Sequence, residues 1–247
     1  MLGIRQNTIF RKREEVALLN WQNGRTYSNK HSFSDLQVIN FLEIKKKLPD
    51  QVNLLAVSKG FKAEDIKKIY DLGQKDFGES KVQEAISKKA NLADKNDIVW
   101  HFIGRIQSNK IKKIVQHFDY VHSVDTVEKL IKISDTSYEF DKDLNLMIQV
   151  KFVEDPNKGG IETSQLIEVW NDIKHLKNIN VKGLMTINPR GLDASQNFNL
   201  FSKCRKLADS LQLRDCSMGM TQDWQQAVKA GSTWIRIGSL IFGDRLV

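Results

Sequence analysis

One lysine stands where its chemistry could be used. The run 53–59, Asn-Leu-Leu-Ala-Val-Ser-Lys, is almost continuously apolar and ends on Lys59. A lysine at the end of a buried strand is partly stripped of water, which disfavours its ammonium form and frees the amine to attack an aldehyde. Far along the chain, Ser217-Met218-Gly219-Met220 and Arg236-Ile-Gly238-Ser239 set glycines beside hydroxyl side chains. Gly219 and Gly238 would let backbone N–H groups approach a phosphate, and a helix opening at Thr221 would aim its N-terminus at the same anion. Taken singly, Lys59 reads more readily as a surface lysine and the two loops as ordinary turns. Taken together, an aldehyde-reactive amine facing a phosphate cradle describes a site for pyridoxal 5′-phosphate (PLP).

The rest of the chain must bring these segments together. Eight short apolar runs, at 53–59, 76–79, 98–104, 120–125, 144–150, 181–187, 216–220 and 234–239, read as strands. Several lack strict alternation, as expected of parallel strands buried on both faces. Amphipathic helical patterns lie between them at 63–72, 80–92, 109–118, 126–134, 164–176, 194–211 and 221–230, with another at about 34–47 before the first strand. Eight strands alternating with helices predict a single α/β domain, a (β/α)8 TIM barrel, whose active site belongs at the C-terminal strand ends. Neither Gly-x-Gly-x-x-Gly nor a Walker A sequence occurs, which argues against an open nucleotide-binding sheet.

Composition narrows the remaining classes. The 247 residues are 40% hydrophobic and 28% charged, an ordinary globular balance. No apolar stretch approaches membrane-spanning length and the N-terminus has no secretory pattern, so a cytoplasmic protein without a membrane partner is expected. The two cysteines, Cys204 and Cys216, cannot build a disulfide framework. The net charge of +8 raises nucleic acid as a partner, but half of it lies in residues 1–31, where six basic residues face two acidic ones. This segment shows no clear amphipathic repeat, and its charge is read as solvated surface. His101 and His122 sit on apolar runs and read as hydrogen-bonded core histidines; no ligand set for a metal accompanies them.

Seven blocks also carry a family likeness: Leu55-Ala-Val-Ser-Lys59, Asp76-Phe-Gly-Glu79, Trp100-His-Phe-Ile-Gly104 with Gln107-Ser-Asn-Lys110, Val121-His-Ser-Val-Asp125, Gly183-Leu-Met-Thr186, Ser217-Met-Gly-Met220, and Ala230 to Ser239 with Ile241-Phe-Gly243. In this order they resemble the pyridoxal phosphate homeostasis proteins (the YggS/PROSC family), over about residues 34–245. The resemblance implies a single barrel of the alanine racemase N-terminal domain type over 32–247, preceded by a basic arm, 1–31, that is either disordered or an overcalled translation start. It implies that Lys59 holds PLP as a Schiff base. It further implies that Ser217, Gly238 and Ser239 bind the phosphate, with Met218 and Gly219 in the same loop, and that Arg236 lies near the pyridine nitrogen. A cation there keeps that nitrogen unprotonated and weakens the ring as an electron sink. The implied role is PLP homeostasis: buffering the cofactor or delivering it to PLP-dependent apoenzymes, with indirect effects on amino-acid and keto-acid pools.

The sequence departs from the family pattern at Ser80, where Gly-Glu-Asn is usual. The alternative function on this fold is a PLP-dependent amino-acid racemase, which needs acid/base groups on both faces of its substrate. Alanine racemases take the second group from a further domain and a partner subunit, and this chain ends at Val247, soon after Gly243. No catalytic residue is therefore assigned, and a monomer is expected.

Overall fold

The computed structural model describes residues 33–155 and 158–243; the basic arm 1–31 lies outside the described residues. In chain order the elements are α1 (Phe33–Lys47), β1 (Asn53–Val57), α2 (Ala63–Asp71), β2 (Asp76–Glu79), α3 (Val82–Asn91), β3 (Val99–Phe102), α4 (Ile111–His117), β4 (Tyr120–Val124), α5 (Val127–Glu139), β5 (Leu144–Lys151), β6 (Ile161–Glu162), α6 (Thr163–Ile173), β7 (Ile179–Met185), α7 (Ala194–Ser210), β8 (Asp215–Ser217), α8 (Trp224–Lys229), β9 (Trp234–Ile237) and α9 (Ser239–Phe242). Each of the eight apolar runs contains a strand.

All strand pairings are parallel, in the order β4-β3-β2-β1-β9-β8-β7-β5, and β4 pairs β5 to close the ring. The result is the eight-stranded (β/α)8 barrel. Short strands suffice because every edge is paired, and the crossover helices cover the outer face. The two-residue β6, which the sequence pattern does not show, pairs only with the end of β5 at Val150 and Lys151.

Period-two alternation divides each strand between two environments. Leu54, Ala56, Phe77, Phe102, Leu146, Ile148, Cys216, Ile235 and Ile237 belong to the large outer core shared with helix residues such as Ile66, Ile69, Ile114 and Phe201. Leu55, Met147, Met185 and Trp234 form a separate small cluster inside the barrel. Both cysteines are buried free thiols. At the C-terminal end, Gln37 Nε2 of α1 donates to the Phe242 carbonyl at 3.2 Å. Among the described residues no helix is long and apolar enough to cross a membrane.

Packing between β7 and β8 leaves no room at one position. A Cβ on Gly183 would lie 1.9 Å from the Asp215 carbonyl oxygen. Only glycine fits there, since backbone cannot yield as a flexible side chain would. Gly183→Ala is therefore expected to cost about 2 kcal/mol or more, read as a lowered urea midpoint with the m-value unchanged.

Candidate active site

Lys59 follows β1 in a tight turn closed by the Phe61 N–H on the Ser58 carbonyl at 3.0 Å. Gly60 occupies the position with φ 81°, which a side chain rarely adopts. A buried charged cluster holds this turn from below. Lys88 Nζ donates to the Ser58 carbonyl at 2.8 Å, to Glu79 Oε1 at 2.7 Å and to Glu84 Oε1 at 2.6 Å. Ser58 Oγ also donates to Glu79 Oε1 at 2.6 Å, and the Gly60 N–H donates to Glu84 Oε1. Burial pushes the Glu79 carboxyl up from its ordinary value, against the pull of Lys88. Glu84 is instead held low, because the bonds from Lys88 and Gly60 together outweigh its desolvation. The turn carrying the amine is thus fixed on both sides by two carboxylates that share one ammonium.

Above it opens a cavity of about 490 Å³, walled by Phe61, Ile103 and Met185 on its apolar side. Its polar lining is Lys59, Thr221, Arg236, Gly238 and Ser239. The Thr221 and Ser239 hydroxyls lie 3.2 Å apart. Between them the backbone is bare: a Cβ on Gly238 would crowd the Val57 carbonyl at 3.2 Å, and Gly219, at φ 91°, would place one 2.5 Å from the Ala227 Cβ. The helix that the sequence opens at Thr221 begins three residues later, at Trp224. Asp223 accepts the Met220 N–H at 2.6 Å, and the Trp224 N–H donates to the Met220 carbonyl, making 220–223 a turn of its own. Thr221 consequently sits in a loop at the cavity edge.

Beneath the cavity the barrel interior is polar. Arg236 is 4% exposed. Its Nη1 donates to the Ser217 carbonyl at 2.6 Å and to Ser217 Oγ at 2.8 Å, and its Nη2 donates to the Thr186 carbonyl at 2.9 Å. Burial brings its pKa down to about 10, so it remains a cation at neutral pH. Ser217 Oγ lies 2.9 Å from His122 Nδ1, His122 Nε2 lies 2.9 Å from His101 Nδ1, and His101 Nε2 lies 3.0 Å from Asp76 Oδ1. The His101 ring stacks on Tyr120 at 4.7 Å, with Trp234 also against it. Burial, reinforced by His101 and Arg236, holds His122 well below the usual imidazole range.

The sequence-expected residues therefore divide. Lys59, Arg236, Gly238 and Ser239 line one cavity. Ser217 is fully buried with its hydroxyl inside the barrel, and Met218 belongs to the outer core. Gly219 shapes the loop, and its carbonyl accepts the Arg236 N–H at 3.0 Å. Thr221 is a lining hydroxyl that the sequence reading passed over. Its signal was present, one residue beyond the Ser-Met-Gly-Met block, but a helix start was assigned there instead. Lys88 was also missed, since it reads as one more polar residue of an amphipathic helix. Ser80 faces a different pocket, of about 230 Å³, with Lys81, Arg105 and Lys110. Among the described residues no group of three or more His, Cys, Asp or Glu side chains could hold a metal.

Comparison with known proteins gives the same architecture. Residues 38–246 match the model of the alanine racemase N-terminal domain. A Synechocystis pyridoxal phosphate homeostasis protein is 41% identical over 212 residues, covering 83% of this chain and 97% of that protein. The chain belongs to the pyridoxal phosphate homeostasis protein family. The Escherichia coli family member is 33% identical over 204 residues, covering 80% of this chain and 87% of that protein. Among solved structures, PipY of Synechococcus elongatus with PLP bound superposes with a TM-score of 0.81 at 38% identity, covering 84% of this chain and all of that one. A Clostridium difficile alanine racemase superposes with a TM-score of 0.70 at 11% identity, covering 85% of this chain and 57% of that one, which is a likeness of fold alone.

Two outcomes follow for this family member. Lys88→Met leaves Glu79 buried beside no cation and is expected to cost about 3–5 kcal/mol, measured by urea unfolding. His122 binds its proton more weakly folded than unfolded, so stability is complete above the unfolded value of about 6.5 and declines as pH falls below it. Urea midpoints between pH 7.5 and 5.5 should show this decline, with a shallower slope in His122→Gln.

Proposed function

We propose that the chain binds PLP reversibly and covalently through Lys59 and serves PLP homeostasis. It would act as a monomer in the cytoplasm, buffering the cofactor or delivering it to PLP-dependent apoenzymes, with indirect effects on amino-acid and keto-acid pools. The observation that carries this reading is the lining of one cavity by Lys59, two neighbouring hydroxyls and the edge of a buried guanidinium. The same donors suit a phosphorylated aldehyde: an amine for the carbonyl carbon, hydroxyls with an uncluttered glycine backbone for the phosphate, and a cation for the ring. A family relative whose structure has PLP bound supports it. The buried free thiols suit a reducing compartment.

When bound, PLP supplies an aldehyde that condenses with a primary amine with loss of water, a step that hydrolysis reverses. The protein's own groups hold and orient. The Ser58–Phe61 turn presents the Lys59 amine, and the Glu79–Lys88–Glu84 cluster keeps that turn in place. Thr221 and Ser239 would donate to the phosphate across Gly238. Ser217 and Met218 would act from beneath, Ser217 on Arg236 and Met218 by anchoring the loop in the core. Arg236 would face the pyridine nitrogen as a permanent cation, a setting that favours holding the cofactor over using it as an electron sink.

A racemase requires proton-transfer groups on both faces of its substrate. Among the described residues lining the cavity, the only basic side chain besides Lys59 is Arg236, which stays charged at neutral pH. Homeostasis is accordingly the favoured reading, and robust racemisation of alanine or serine by the purified protein would reverse that preference.

The purified protein is expected to show a visible band with PLP, and borohydride reduction followed by peptide mapping should place a pyridoxyl adduct on Lys59. Lys59→Ala should abolish the adduct. Full covalent retention in that variant, or no uptake by the wild type, would overturn the assignment. Thr221→Ala and Ser239→Ala should each weaken binding about tenfold or more, the effect of removing one hydrogen bond to a charged group.

A further inference from the structure

We propose that Asp76, at the N-terminal mouth of the barrel, is a positioning residue for Arg236, acting through His101, His122 and Ser217. The inference rests on the reading above for what occupies the cavity, but its geometry is independent of any ligand. The four contacts from Arg236 to Asp76 are each 2.8–3.0 Å long and run through the barrel interior.

Donor capacity gives this chain one direction. A guanidinium only donates, so Ser217 Oγ accepts from Arg236 Nη1. The Ser217 hydrogen then needs an acceptor, and among the described residues the only side-chain atom in reach that can accept it is His122 Nδ1. With its Nδ1 accepting, neutral His122 carries its hydrogen on Nε2 and donates to His101 Nδ1. His101 carries its own hydrogen on Nε2 and donates to the Asp76 carboxylate, which only accepts. Both ends demand the same order, cation to anion, and the interior rings complete it. The reverse order would aim two donors at Ser217 Oγ and leave its own hydrogen without a partner, a costly arrangement for a fully buried hydroxyl.

The consequence reaches the cavity. Three of the five guanidinium N–H groups are committed to Ser217 and Thr186, which leaves Nε–H and one Nη2–H for a group above. Asp76 thereby supports the Ser217 hydroxyl, one of the three contacts that set which edge of Arg236 a ligand meets, although it lies at the other mouth of the barrel. Without the carboxylate, His101 can adopt the opposite tautomer, the direction can reverse, and the grip of Ser217 on Arg236 loosens.

Nitrogen-15 spectra of full-length protein labelled at histidine test this directly, with signals assigned through His101→Gln and His122→Gln. At pH 7.5 the wild type should show both rings neutral and protonated on Nε2. His122 protonated on Nδ1, or either ring as an imidazolium, would overturn the proposal without any variant having to fold. Asp76→Ala should mix the His101 tautomers, shift the visible band of bound PLP and weaken PLP binding about tenfold. Asp76→Asn keeps an acceptor oxygen and should restore all three. A PLP band unmoved in Asp76→Ala while the His101 tautomer changes would also sink the idea. If the wild type takes up no PLP, the functional reading fails while the tautomers still decide this one.

Discussion

A guanidinium inside a closed barrel has to be satisfied by what surrounds it, because water cannot follow it there. Arg236 meets this requirement without an ion pair among the described residues: two backbone carbonyls and one hydroxyl receive it. Transfer of an unpaired cation from water is costly, and charge-assisted bonds to oriented dipoles offset much of it. Most of the interior follows from that constraint. Ser217 must be small and polar, and two imidazoles continue the path where aliphatic side chains would otherwise fill the barrel. The apolar interior cluster shrinks to Leu55, Met147, Met185 and Trp234.

A second buried charge system lies under the amine and uses the opposite solution. Lys88 and Glu79 are paired, with side chains 7% and 0% exposed, and both reach the Ser58 residue that begins the turn. Pairing of this kind adds little net stability over an apolar replacement, but it fixes geometry, since breaking either partner strands a charge. The cavity is thus lined by one backbone-solvated cation, while the ion-paired cluster holds the turn that carries Lys59. Gly238 lies in its lining, where a Cβ would come within 3.2 Å of the Val57 carbonyl.

The barrel was legible because its strands are short and apolar while its helices are amphipathic, so hydrophobic periodicity separated the two for the eight ring strands, though not at the two-residue β6. Lys59, Arg236, Gly238 and Ser239 line one cavity for a related reason: the C-terminal ends of the strands border the mouth of a parallel barrel. Ser217 illustrates the limit. It also stands at a strand end, but β8 stops there and its side chain points inward, a matter of one-residue register that a block of consecutive motif residues does not encode. The contacts of His101 and His122 with each other join strands adjacent in space, and Lys88 reaches Glu79 from a helix. Such pairings depend on tertiary placement, to which local pattern is blind.

The closure of the ring has a bearing on how the protein comes into being. β1 is hydrogen-bonded to β9, with Asn53 beside Trp234 and Leu55 beside Arg236. A ribosome releases the amine-bearing β1 before, and the guanidinium-bearing β9 after, the other described strands of the ring. The cavity lacks its Arg236, Gly238 and Ser239 wall until β9 has been made, and the two histidines have no completed path to a cation until β9 seats. Closing the ring and completing the cavity wall therefore depend on the same strand, β9, so the site cannot be whole in a barrel that is still open.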